Sequence, residues 1–394
     1  MRVHALHAVI ALIGISTVSC SDATGGFVAV ALCPQANWAA IAREGGPWQS
    51  ISPVRAALPL RGGERIGLAR VRGTGFPPDS LQIYYVTAEQ AEATFDCDVP
   101  ATKRELHGTA LGIEGAVTSS ATIAMGNSLG YATAGGLEDF TLWSPPGGPA
   151  DLVATAYDLG PAVIIRRGVD YPDGSAIPVL DFSSGEAFVL QTNTATPVGT
   201  APDGWDVTSE VITQRGTRAV LRDWFAQDGG ATAPMYSVPA TKLLDGELNS
   251  VSVSDGYRTA TVFFRLASDR TVELGRLAGV PTVTKTGTAP NRTLRIDLAS
   301  QPEYGAQITL MLCGIQNSIT ATVIATKEYF GGTPTTWSIT FPDMPAVQGF
   351  PSYLWDPRPS GLCEIDVTDR PYLVAPRDGD TYRSALIPGV FNPP

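Results

Sequence analysis

Thr293-Leu294-Arg295-Ile296-Asp297-Leu298 alternates with period two: Leu294, Ile296 and Leu298 predict a core face, and Thr293, Arg295 and Asp297 a wet one. Such alternation marks a half-buried antiparallel strand, because successive side chains of an extended backbone point to opposite faces. Working outward, the same phase recurs in Trp337, Ile339 and Phe341, in Val262, Phe264 and Leu266, in Leu81, Ile83 and Tyr85, and in Cys363, Ile365 and Val367. Turn-forming residues punctuate the pattern at Gly62-Gly63, Pro77-Pro78-Asp79, Asp173-Gly174, Asp203-Gly204, Gly331-Gly332 and Asp378-Gly379. Short strands at this spacing predict an all-β chain of tandem antiparallel β-sandwich modules with very little helix. The best helical signal is Thr87 to Phe95, where Thr87 and Gln90 fit a capping box. Ser209 to Phe225 reads as a hairpin, since Gly216 and its β-branched neighbours disfavour a helix.

A chain of 394 residues exceeds what one hydrophobic core usually serves. Boundaries are expected near Pro100, at Pro197 to Asp203 and at Gly279-Val280-Pro281, dividing the chain into modules 20–100, 101–200, 201–280 and 281–394. The formal net charge is -11, with only four lysines and no basic cluster, which argues against a nucleic-acid partner. The 41 glycines and 31 prolines suit a turn-rich globular protein rather than a disordered one.

Residues 1–19 read as an export signal: Arg2, an apolar stretch from Ala8 to Ile15, then the small residues Ser16 to Ser19 ahead of Cys20. Ser16-Thr17-Val18-Ser19-Cys20 resembles the bacterial lipoprotein box, although Thr17 stands where that family carries Leu, Val or Ile. The resemblance implies lipidation of Cys20 and a membrane partner through that anchor. Ser21 after the cysteine then implies delivery to the outer membrane or cell surface. Cleavage by the ordinary signal peptidase would instead give a periplasmic or secreted protein. The remaining Cys33, Cys97, Cys313 and Cys363 fall into two sequence-local pairs, expected as disulfides Cys33–Cys97 and Cys313–Cys363 in an oxidising compartment. Each would close a long loop, worth about 4 kcal/mol in the chain-entropy model. Buried free thiols are the alternative.

Gly108 and Gly112, the strand Ala121 to Met125, then Phe140-Thr141-Leu142, Pro145-Pro146-Gly147-Gly148 and Asp151 to Ala154 resemble the carboxypeptidase regulatory-like, or prealbumin-like, β-sandwich over residues 105–170. The resemblance implies a seven-stranded structural module without catalytic residues of its own. The whole chain also resembles a group of uncharacterised bacterial envelope lipoproteins, from which no activity carries over.

Catalytic constellations are scarce. Gly126-Asn127-Ser128-Leu129-Gly130 matches the Gly-x-Ser-x-Gly pattern of hydrolase nucleophile elbows, yet a poor helix follows, and His107 precedes the serine where that triad needs a histidine after it. The expected reading is a turn. His107 is the one histidine left after a signal is removed, which excludes zinc sites built on histidine pairs. No phosphate-binding loop or dinucleotide fingerprint occurs, so no cofactor is expected. Asp96 with Asp98, Asp366 with Asp369, and Asp378 with Asp380 could contribute to calcium sites but lack an ordered ligand loop, so no metal site is expected. Trp38, Trp48, Tyr84 and Tyr85 could form a sugar-stacking platform if exposed, though small β modules usually bury tryptophan. The expectation is a non-enzymatic exported envelope protein that is structural, adhesive or ligand-displaying, with a glycan or an envelope protein as partner. The alternatives are a carbohydrate-binding lipoprotein and a glycan-active enzyme.

Overall fold

The computed structural model describes residues 27–30, 36–51, 58–72, 80–90, 104–113, 120–133, 138–156, 161–199, 204–226, 231–286, 293–313, 319–340, 342, 344–351, 361–370 and 375–391. The expected signal, Cys20, Cys33, Cys97 and the pair Asp96 and Asp98 lie outside the described residues. What is described is nearly all strand, as the alternation predicts. Ile296, Leu298, Trp337 and Ile339 are buried while Arg295 and Ser338 point outward. Leu266 departs from the expected core face: its strand, Arg258–Phe264, ends two residues earlier, and Leu266 stands exposed in the bend that follows. Trp205–Ile212 and Arg218–Ala226 form the expected hairpin, with Gly216 at a φ of 79° that few side-chain-bearing residues adopt. The capping interaction at Thr87 also forms, its backbone N–H donating to Gln90 Oε1 at 3.2 Å. Residues 88–90 make the helical turn, and 91–95 lie outside the described residues.

Strands of the first and last expected modules join one sheet. A 12-stranded sheet runs from Arg218–Ala226 at one edge to Gln49–Ile51 at the other, and it includes strands from the beginning, third quarter and end of the chain. At its joint Ser80–Thr87 pairs in parallel with Ile319–Thr326, Ile83 opposite Val323. Trp38, Val71, Leu81 and Ile83 share a core with Leu310, Val323, Trp337 and Ile365. The reverse face of Ser80–Thr87 buries Tyr84 and Val86 against Leu60 and Leu68. Burial on both faces explains the nearly continuous apolar run Leu81-Gln82-Ile83-Tyr84-Tyr85-Val86 and marks a central strand, not the edge of a free-standing module. Arg258–Phe264 likewise pairs with Thr381–Phe391, so the sheet continues across the boundary expected at 279–281.

Residues 104–190 build a sandwich of their own. One sheet orders Asp139–Trp143, Glu105–Leu111 and Leu180–Asp181; the other orders Phe188–Val189, Ala162–Val169, Ala150–Ala156, Ser120–Met125 and Ser128–Thr133. Leu106, Phe140 and Leu142 meet Ile123, Met125, Leu152 and Ile164 between them. Ala150–Ala156 is buried along its whole length because its other face is covered too, with Val153 packing beside Val211, Leu221 and Val238.

Two buried carboxylates fasten this sandwich to the residues that follow. Asp151 is fully buried; it accepts hydrogen bonds from the backbone N–H groups of Gly168 at 2.8 Å and Arg215 at 3.2 Å, and the Arg215 guanidinium lies 3.3 Å away. Glu247, equally buried, takes a two-pronged contact from Arg167 at 2.9 and 2.7 Å and the N–H of Leu244 at 2.8 Å. Burial raises both carboxyl pKa values, and the hydrogen bonds outweigh it, leaving each below its ordinary range.

Cys313 and Cys363 lie on antiparallel neighbours, Gln307–Cys313 and Gly361–Thr368. Cys313 stands opposite Gly361, and Cys363 falls at the bulge between Met311 and Leu312. No disulfide is seen among the described residues, which include neither cysteine's side chain.

Candidate functional site

The four aromatics expected as a sugar platform are held by the core. Trp38 is buried, its indole N–H donating to Gln348 O at 3.2 Å and its ring meeting Phe350 edge-on at 5.1 Å. Tyr84 is buried against Leu60 and bonds Gln82. Trp48 lies half-buried across Gly67, and Tyr85 donates its hydroxyl to Thr340 O at 3.2 Å while its ring meets Tyr329. Burial pushes the Tyr85 phenol far above its ordinary pKa. Trp38 and Tyr85 tie early strands to late ones, Tyr84 packs among early residues, and half-buried Trp48 meets the Tyr85 ring at 6.3 Å.

Gly126 and Asn127 are a two-residue turn joining Ser120–Met125 to Ser128–Thr133. Ser128 is buried and donates to Trp143 O at 2.7 Å, so its hydroxyl faces no cleft and serves to tie two strands. The turn carboxylates are occupied by their own neighbourhood. Asp380 accepts from Arg370 at 2.5 Å and from the Arg377 N–H at 2.6 Å; Asp378 accepts from the Arg265 N–H at 3.0 Å and Asp369 from that of Arg383 at 2.8 Å. Among the described residues no three metal-ligating side chains converge.

A different face carries exposed rings. The strand Asp139–Trp143 buries Phe140 and Leu142, which sends Asp139, Thr141 and Trp143 outward. Ser128–Thr133 buries Ser128, Gly130 and Ala132, which sends Leu129 and Tyr131 outward. Trp143 and Tyr131 each retain 64% of their exposure. Glu105–Leu111 contributes His107 and Thr109, directly opposite Thr141 and Asp139. Together with Ala176, Ile177 and Val179 these residues enclose an open groove of about 820 Å³. Two glycines give the groove its floor. A Cβ at Gly108 would lie 2.4 Å from the Phe140 ring, and one at Gly130 would lie 2.8 Å from Thr141 O, so strand and ring approach more closely than alanine allows.

The polar groups of the groove are paired along its wall. Thr109 Oγ1 donates to Asp139 Oδ1 at 2.7 Å, His107 Nδ1 lies 3.2 Å from Thr141 Oγ1, and His107 Nε2 lies 3.4 Å from Glu105. Among the described residues no lysine or arginine lines it. The arrangement offers aromatic faces and a row of hydrogen-bonding groups on a rigid surface. Among the described residues it offers no buried nucleophile beside a base. The signal for Trp143 and Tyr131 is in the sequence: both are large aromatics in the outward phase of strands whose inward phase is set by Phe140 and Leu142 or by Gly130 and Ala132.

No family model matches the chain, and no curated protein matches it. Among solved structures it is similar to the Bacillus anthracis TIE protein, at 11% identity and a TM-score of 0.16, over 81% of this chain and 62% of that one. The chain thus spans less than two thirds of that protein's length. A second similarity is to native alpha-2-macroglobulin from Escherichia coli spanning domains MG0-NIE-MG1, at 9% identity and a TM-score of 0.15, over 82% of this chain and 92% of that one. Neither overlay reaches the level of a shared fold.

Proposed function

We propose that this chain is a non-enzymatic exported envelope protein, lipid-anchored at Cys20, whose all-β body displays the groove face of residues 104–190 to a partner. The observation that carries the reading is the pair of rings, Tyr131 and Trp143, standing 64% exposed on a closed sandwich. Monomeric proteins seldom hold such groups in water beside a shaped groove without a partner for them. The ionisable groups nearby support display over catalysis, because exposed Asp139 is bonded by Thr109 and exposed His107 by half-buried Glu105, so that they do not converge on an enclosed pocket.

Expression of the full chain in a bacterial host should give fatty-acid labelling that a Cys20→Ala variant loses. Purified protein added to washed bacterial envelopes should be retained, and Tyr131→Ala with Trp143→Ala should reduce retention at least tenfold. Equal retention of that double variant, or turnover of ester or glycan substrates abolished by Asp139→Asn, overturns the reading.

An exported location also favours a bond between Cys313 and Cys363. Non-reducing peptide mapping of the full chain is expected to recover their peptides linked. Two free thiols there, or linkage to Cys33 or Cys97, would refute the pairing.

A further inference from the structure

We propose that the groove beside Trp143 and Tyr131 binds a neutral oligosaccharide, its sugar rings stacking on the two aromatic faces and its hydroxyls bonding Asp139 and Thr141. This rests on the reading of that face as the display surface. A pyranose has apolar C–H faces and a polar hydroxyl rim, so it calls for flat apolar rings beside planar hydrogen-bonding groups. Tyrosine and tryptophan supply the first with few rotatable bonds to order. Asp139 supplies the second: Thr109 occupies Oδ1, which leaves Oδ2 as an acceptor, and carboxylate acceptors make the stronger hydrogen bonds.

The ligand class follows from what the lining lacks as well. Among the described lining residues there is no lysine or arginine, and Asp139 brings negative charge, which disfavours phosphate, sulfate or uronate groups. A fatty chain would need an enclosed apolar cavity, whereas here polar side chains run along the wall between the exposed rings. The volume of about 820 Å³ lies in the upper part of the range of small-molecule sites, about 300–1,000 Å³, and suits a few linked sugars rather than one. A groove open to solvent along a sheet face also lets a longer chain pass through.

Isothermal titration of the purified full chain with maltohexaose, cellohexaose, laminarihexaose and chitohexaose tests this. At least one is expected to bind. Trp143→Ala and Tyr131→Ala should each weaken that affinity at least tenfold, Asp139→Ala at least threefold, and Tyr257→Ala, which removes an exposed ring outside the groove, not at all. All four variants should keep the parent's denaturation midpoint, since the rings stand in water. Binding of none of the four sugars, or binding unchanged by Trp143→Ala, overturns the proposal. If envelope retention depends on Trp143 yet these sugars neither bind nor compete for it, the display reading stands and the carbohydrate assignment falls. A proline-rich or acidic peptide that competes in their place does the same.

Discussion

Replacing Arg167 with alanine is expected to destabilise the full chain by about 3–5 kcal/mol at neutral pH, the usual cost of stripping a buried carboxylate of its countercharge. Glu247 is fully buried and depends on the two-pronged Arg167 contact, which also reaches Lys242 O at 2.6 Å. Burial by itself would raise the Glu247 pKa, but bonds from Arg167 and from the N–H groups of Leu244 and Gln214 hold it below the ordinary 4.5. Because the folded value is depressed, the stabilisation is complete above the unfolded value and is lost as pH falls through the folded one. The variant has no such contribution to lose. Its deficit should therefore shrink on moving from pH 7 to well below 4.5, where a protonated Glu247 needs no partner. Urea unfolding of both proteins at the two pH values measures this. An equal deficit at each would mean that Arg167 acts by packing and not by charge.

Trp337→Ala is expected to cost a similar amount, about 3–5 kcal/mol, by opening a cavity where a fully buried indole now sits. The informative part is where the damage spreads. Trp337 packs edge-on against Phe330 at 5.5 Å within the core that also holds Trp38, Val71 and Ile83. Limited proteolysis of the variant should therefore cut within residues 36–87 as readily as within 307–326. Cleavage confined to the later segment would mean that the early strands have a core of their own.

Local features were legible in the sequence wherever one residue's chemistry determines them. The alternation through Ile296 and Leu298, the Gly216 hairpin, the Thr87–Gln90 cap and the Gly126-Asn127 turn all follow from backbone preference and from which face is apolar. Partnership between strands was not legible. The pattern Leu81-Ile83-Tyr85 states that a strand is buried but not that its neighbour lies more than two hundred residues onward, because register is written in the complementarity of two surfaces and not in either alone. The groove was hidden for a related reason. Trp143 is assigned outward only after Phe140 and Leu142 are recognised as the inward set, and composition by itself counts it as one more candidate for the core.

The parallel joint between Ser80–Thr87 and Ile319–Thr326 also imposes an order on folding. The earliest strands to be synthesised cannot complete their hydrogen bonding until the last third of the chain exists, and loop closure over that span is slow. Until then an apolar strand edge and one face of Leu81 and Ile83 stay uncovered, the condition under which chains associate with the wrong neighbours. A nascent copy of this protein must therefore be shielded, or kept unfolded, until its final strands arrive. Truncations that remove the end of the chain should accordingly appear first as insolubility of its beginning.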